Sequence, residues 1–392
     1  MDNGKRKAGL KRLASVLLEK GTIESDWLPA FHAVPRDAFL PTRVWPGIAD
    51  GTRQAAAVDR TKDPERWFEA VYSDIPLTTQ WDEGRHTGDD IGITPTSSNS
   101  LPTMVFTMLK DLDVHLGHQV MEIGTGTGWN AGLLVHRVGA NSVTTIEYDP
   151  DVAHDGAANL FTLGIRPNLV VGDGRRGHPR PRPYDRVIAT CSVGSVPHDW
   201  VTQTRTGGVI VAPWGPTYGG EGIVRLTVHE NGVVEGRFTR SSAFMRLRQQ
   251  RQDRPPHHLY LRGEPWPAGG VRRKTSLSPA RVGGWIEQFV VGVLVSGAFW
   301  RTERYQDGSY TLWAYSLDTK SWASADYEPG ADAFETVQAG PRRLWDEIES
   351  AFDWWQEHGT PGFERFGLTV TKTGQTVWLD TPDRLVASIP HH

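Results

Sequence analysis

The stretch VMEIGTGTGWNAGLLVHRVG, residues 120 to 139, decides how the rest of the chain is read. It joins an apolar run to a helix-like run through a glycine-rich turn. A phosphate, a dinucleotide and a sulfonium cofactor all use turns of this kind. A buried strand ends at Glu122-Ile123, and Gly124, Gly126 and Gly128 follow at alternate positions. Backbone without Cβ atoms lets a ligand approach closely. A dinucleotide fold wants its third glycine three residues after the second, with an acid about twenty residues on. A phosphate loop wants Gly-Lys-Ser/Thr, which is absent. Glu122, two residues ahead of the first glycine, would repel a pyrophosphate and suits a cofactor that carries positive charge.

Outward from this turn, strands alternate with helices. Residues 101–114 read as a helix, 118–124 as a buried strand, 130–139 as a helix, and 142–149 as a second strand. Residues 150–164 are helical, and 168–174, 184–191 and 206–214 give three more strands. This alternation predicts an α/β fold with a parallel sheet covered on both faces. Residues 223–238 read as a hairpin about Asn231-Gly232. Upstream, residues 1 to about 45 form a helical prelude. Residues 46 to 100 look irregular, and WDEGRHTGDDIGITPTSSNS (81–100) has the composition of a loop. Downstream, residues 251–279 are rich in Pro, Arg and Gly and read as a linker or arm. Residues 280–392 have a pattern of their own: two strands over 310–327, an amphipathic helix over 341–359 and a hairpin over 366–380. The domains expected are thus helices and a substrate-side loop over 1–100, a cofactor-binding core over 101–250, the arm, and a Trp-rich α+β accessory domain.

Two further acids sharpen the cofactor. Glu147 ends the second strand, where it can accept both ribose hydroxyl hydrogens. Asp173-Gly174 ends the third, where it can meet an adenine. Three acidic strand ends on one edge of a parallel sheet favour S-adenosyl-L-methionine, which has a sulfonium, an ammonium and no phosphate. The plain alternative is a structural strand–helix turn.

Bulk properties bound the partners. The length of 392 residues suggests two domains. A net charge of −4 gives no reason to expect nucleic acid. Cys191, the one cysteine, excludes an internal disulfide and fits a reducing, cytoplasmic compartment. No apolar run approaches membrane-spanning length, so no membrane partner is expected. Histidines such as His86, His115 and His136 lack metal-ligand spacing, so no metal is expected. Cys191 reads as a small apolar neighbour of the cofactor rather than a nucleophile.

The chain resembles the protein-L-isoaspartate O-methyltransferase family of Rossmann-like class I methyltransferases over roughly residues 10 to 250. Residues 17–41, with Val34-Pro35-Arg36, resemble its N-terminal helices and Val-Pro-Arg signature. YSDIPLTTQ (72–80) is similar to its Asp-x-Pro-Leu segment, TSSNSLPTM (96–104) to its Thr-x-Ser-x-Pro segment, and residues 184–215 to its later strand, loop and Gly-Gly strand. The resemblance implies that Glu122, Gly124, Thr125, Gly126, Gly128, Glu147, Asp173 and Gly174 contact the cofactor. It implies that Ser98 and Ser100 lie at the substrate carboxylate. Helix capping is the simpler role for one of these serines, since they precede Pro102.

The departures matter too. About 140 residues follow the family's usual end, segment 81–100 is longer, and the closing Phe-Val-Pro-Leu pattern appears as AFMRLR (243–248) without its proline. The whole length resembles methyltransferases that accompany ATP-grasp peptide macrocyclases. That resemblance implies methylation of one Asp side chain in a ribosomally made, macrocyclised precursor peptide (a graspetide), followed by loss of methanol to an aspartimide. The alternatives are general isoaspartate repair, a lanthipeptide or lasso-peptide aspartate methyltransferase, and a peptide-binding module without turnover.

Overall fold

The computed structural model describes residues 3–47, 55–264 and 266–390. Helix α1 (Asn3–Glu19) buries Leu13 and Leu17, four residues apart on one face. A short turn leads to α2 (Leu28–Ala33).

The region that reads as irregular holds a small antiparallel sheet. Its strands are β1 (Arg43–Pro46), β2 (Val58–Asp59), β3 (Leu77–Trp81) and β4 (Pro95–Asn99), in the order β2-β1-β3-β4. Helix α3 (Pro64–Val71) lies between β2 and β3, its first turn capped by the Asp63 carboxylate. The loop expectation fails here because these strands are two to five residues long and β4 is built from Pro, Thr, Ser and Asn. Residues 48–54 of that region lie outside the described residues. The loop that remains, 82–94, is closed by Asp82, whose carboxylate accepts from Ile93 N (3.0 Å) and Thr94 N (2.7 Å).

The core follows the alternation. Its elements are α4 (Pro102–Leu112), β5 (Val120–Ile123), α5 (Trp129–Val138), β6 (Val143–Glu147), α6 (Pro150–Thr162), β7 (Asn168–Val171), β8 (Tyr184–Ala189), α7 (His198–Thr202) and β9 (Thr204–Trp214). The hairpin β10 (Glu221–Val228) and β11 (Val234–Ser242) turns at Gly232, whose φ of +73° favours glycine. Strands β7-β6-β5-β8-β9 are parallel. Chain order reverses between β5 and β8, and ligands bind at such a switch point beyond the strands' carboxyl ends. This is a class I methyltransferase fold.

The remainder is α8 (His258–Leu261), β12 (Val271–Thr275), α9 (Trp285–Leu294), β13 (Ala298–Arg304), β14 (Tyr310–Ser316), β15 (Trp322–Tyr327), β16 (Phe334–Ala339), α10 (Leu344–Glu357), β17 (Phe366–Val370), β18 (Gly374–Leu379) and β19 (Leu385–Pro390). Two sequence readings change. The arm over 251–279 contributes β12, an edge strand of the antiparallel sheet β12-β16-β15-β14-β13. The Trp-rich region is also joined to the core. Strands β17, β18 and β19 extend the main sheet beyond β11, to ten strands. Phe289, Trp345, Phe352 and Val377 share one apolar cluster with Met121, Trp200 and Trp214. No helix among the described residues is long and apolar enough to cross a membrane.

Candidate active site

A cavity of about 770 Å³ opens beyond the carboxyl ends of β5, β6 and β8, roofed by β4 and by residues 241–251. Its floor is the glycine turn. Gly124, Gly126 and Gly128 have φ of +94°, +53° and +90°, so each sits in left-handed backbone. A Cβ on Gly124 would lie 2.7 Å from Thr190 Oγ1, leaving room there for backbone only. Helix α6 presses on the turn from outside: a Cβ on Gly156 would meet Gly126 O at 2.7 Å.

The acids at the strand ends divide into two groups. Glu147 lines the cavity with Gly124, Thr125, Gly126 and Gly174. Its Oε2 accepts from Gly126 N (2.9 Å), and its Oε1 from Tyr148 N (2.9 Å) and Asp149 N (3.1 Å). Glu122, Gly128 and Asp173 do not line the cavity. Glu122 is fully buried; its Oε1 accepts from Asn130 Nδ2 (2.7 Å) and its Oε2 from Thr145 Oγ1 (2.6 Å). Thr145 Oγ1 in turn lies 2.7 Å from Thr125 Oγ1. Glu122 thus reaches the cavity through Asn130 and Thr125. Burial pushes its carboxyl up to about 7, against the hydrogen bonds from Thr145 and Asn130 that favour the anion. Asp173 is forked by its neighbour Arg175, with Nη2–Oδ2 at 2.8 Å.

Ser98 and Ser100 both line the cavity from β4 and the residue after it. Neither caps α4. The N-cap position is Leu101, without a side-chain bond, and Asp74 takes the role from a distance: Thr103 N donates to its Oδ1 at 2.8 Å. Arg36 fixes the serine segment. Its buried guanidinium donates to Asn99 Oδ1 (2.6 Å) and to the carbonyls of Val71, Ser73, Ile75, Asn99 and Ser100. Asn99 Nδ2 then donates to Thr127 Oγ1 (3.0 Å), tying β4 to the glycine turn. The Val-Pro-Arg signature therefore acts at the far side of the site. Cys191 also lines the cavity; burial pushes its thiol up to about 12, so it is no nucleophile at neutral pH.

Sequence reasoning missed the opposite wall. Arg246, Glu221 and Trp285 line it. Trp285, from α9, donates its indole N–H to Glu221 O at 2.9 Å. The loop after β8 is held from two sides. Gln250 Oε1 accepts from Gly194 N (2.8 Å), while Gln375 of β18 accepts from Val196 N (3.2 Å) and donates to Gly194 O (2.6 Å). Across the mouth, Arg248 donates to Asp149 Oδ2 (2.9 Å), and Arg251 pairs with Glu83 (3.2 Å). Only the missing proline at Arg246 signalled any of this in the sequence.

The comparisons with known proteins agree with this geometry. The profile of the family described as protein-L-isoaspartate(D-aspartate) O-methyltransferase matches residues 50–252. The protein-L-isoaspartate O-methyltransferase of Pyrococcus horikoshii is 28% identical over 195 residues, 50% of this chain and 88% of that protein. That of Korarchaeum cryptofilum is 30% identical over 217 residues, 52% of this chain and 91% of that protein. A solved protein-L-isoaspartate O-methyltransferase superposes with a TM-score of 0.52 at 21% identity, covering 95% of this chain and all of the other. A glycine turn floored by positive-φ backbone, with the Glu147 carboxylate at the next strand end, fits a cationic, phosphate-free cofactor. The chain belongs to the protein-L-isoaspartate(D-aspartate) O-methyltransferase family and is an S-adenosyl-L-methionine-dependent protein carboxyl methyltransferase.

Proposed function

We propose that this enzyme methylates an Asp side-chain carboxylate in one ribosomally made, macrocyclised precursor peptide, and that the ester then closes to an aspartimide. S-adenosyl-L-methionine supplies the methyl on a sulfonium and becomes S-adenosyl-L-homocysteine. Gly124, Thr125, Gly126, Glu147 and Gly174 would hold it. Glu122, Gly128 and Asp173 would shape the pocket from behind. The acceptor carboxylate is already an anion at neutral pH, so no general base is required. The chain's task is alignment and exclusion of water. Ser98 and Ser100 can donate hydrogen bonds to the acceptor without placing a full opposite charge on it. Ring closure follows when the next backbone nitrogen attacks the ester carbonyl; its proton leaves with the methoxide as methanol.

One observation carries this reading. Trp285 lines the cavity and Gln375 braces the loop after β8, and both lie beyond the 50–252 match. A wall built from added structure suits one partner better than damage in any sequence context. General isoaspartate repair is the second reading, favoured by the names and identities of the relatives over half the chain.

The experiment is direct. Incubate the enzyme and cofactor with an isoaspartyl peptide and, separately, with the cyclised precursor encoded beside the gene. A mass gain of one methyl followed by loss of methanol on the precursor alone supports tailoring. Efficient methylation of generic isoaspartyl peptides would sink it in favour of repair.

A further inference from the structure

We propose that Arg246 selects peptides carrying a second carboxylate within about three residues of the methylated one; this rests on the carboxyl methyltransferase reading of the same cavity. Three arginines of one segment line the cavity: Arg246, Arg248 and Arg251. Two of them already have carboxylate partners, Arg248 with Asp149 (2.9 Å) and Arg251 with Glu83 (3.2 Å). Among the described residues, no carboxylate lies within 4.0 Å of Arg246. Its Nη1 donates to Gly215 O (2.9 Å) and its Nη2 to Pro216 O (3.3 Å). These carbonyls anchor the planar fork, which carries five N–H donors in all. A guanidinium held by neutral carbonyls at a cavity wall is a ready partner for an incoming carboxylate.

Position separates this role from that of the acceptor. Ser98 O overhangs the glycine turn after β5: a Cβ on Gly126 would lie 3.6 Å from it. Arg246 instead pairs with Ser192 past β8 and bonds to Gly215 past β9. Strand β9 lies two strand steps from β5. Two steps span roughly 10 Å, and an extended peptide advances 3.3 to 3.6 Å per residue. A side chain on Arg246 therefore belongs to a residue up to about three positions from the acceptor. Glu221, on the same wall, is the competing anion: burial raises its carboxyl, while the charge of Arg246 itself draws it back down. Trp285 gives the incoming side chain an apolar flank.

The test is a positional scan. Take the cyclised precursor with its uncrosslinked acids near the acceptor Asp changed to amides, and move one Asp through three positions on either side of that acceptor, with Asn as control. Measure binding to the full-length enzyme loaded with S-adenosyl-L-homocysteine by calorimetry, and KM in parallel. One or two positions should bind roughly tenfold or more tightly than their Asn controls. In Arg246→Gln the ratio should fall toward one, and Arg246→Lys should restore part of it. Unchanged homocysteine-product affinity attests that the variants fold. A flat scan on the wild type overturns the assignment, whatever the variants do. So does an Arg246→Gln enzyme that weakens acidic and neutral peptides equally. Acid preference in binding without methyl transfer would sink the methylation reading and leave the Arg246 assignment standing.

Discussion

Glu122→Gln should make the protein more stable and a poorer methyl-donor site. The fully buried Glu122 carboxyl is pushed up from 4.5 to about 7, chiefly by burial and further by Glu147. An acid raised on folding contributes stability that is full below its unfolded value. That stability is lost as pH rises to the folded value. The difference of about 2.5 pH units corresponds to about 3 kcal/mol at 1.36 kcal/mol each. Glutamine keeps the shape and both hydrogen bonds: its carbonyl accepts from Asn130, and its amide donates to Thr145, whose hydroxyl can turn toward Thr125. Denaturant unfolding should give nearly equal stabilities at about pH 4 and a lead of about 3 kcal/mol for the variant at about pH 8. Glu221, raised to about 7 by the same cause, leaves residual pH dependence in both proteins. Removing the charge should also weaken S-adenosyl-L-methionine more than S-adenosyl-L-homocysteine, since only the former is a sulfonium. Parallel pH profiles for the two proteins would rule out a raised Glu122 carboxyl, and equal losses for the two ligands would rule out its action on the sulfonium.

Three further outcomes are expected. Ser100→Ala should lower turnover roughly tenfold, the worth of one lost hydrogen bond in the transition state, with little change in cofactor affinity. Equal losses would make the residue a shaping element. Gln375→Leu strands Val196 N and Gly194 O without partners, a cost of about 2 kcal/mol or more. Hydrogen exchange should quicken over residues 192–197 while the glycine turn stays protected, and uniform quickening would contradict a local brace. A chain cut after Gln252 loses β17, which pairs along β11, and bares Phe238 and Trp214, which pack against Phe289. It should aggregate on expression; a soluble, active fragment would show that the core folds without its C-terminal strands.

The parallel core was legible because its central strands β5, β6 and β8 are short, largely buried runs that carry apolar residues and alternate with helices. That Gly124, Thr125, Gly126 and Glu147 line the cavity was legible for a related reason: they follow directly from strand ends whose position the pattern marks. What escaped the sequence depends on contacts distant along the chain. The β4 segment is a strand only because Leu77 and Thr78 lie opposite Asn99 and Ser98. Arg36 carries no periodic signal, yet it holds six acceptors from segments up to 64 residues away. Gln375 reaches a loop 181 residues earlier. A charge before the glycines pointed to the right cofactor, but Glu122 is displaced from the cavity wall: it is fully buried and reaches the cavity through Asn130 and Thr125.

That displacement bears on how cofactor and substrate are coupled. Thr125 and Asn130 line the cavity and receive their orientation from Glu122. Thr127, two residues after Thr125, receives Asn99 from β4, and Asn99 is held by Arg36. The same turn is therefore held from below by the buried acid and from above by the buried arginine. A shift of the turn by a few tenths of an ångström would disturb both networks, since each buried donor must keep a partner. The geometry of the turn thus rests on two buried side chains, Glu122 and Arg36, that do not themselves line the cavity. The wall with Arg246, Glu221 and Trp285 is held by other bonds: Arg246 donates to the carbonyls of Gly215 and Pro216, Glu221 accepts from Ser242 and Phe244 N, and Trp285 donates to Glu221 O. A change there leaves the turn's two networks intact, and it is there that Trp285, from beyond the family's shared region, enters the cavity lining.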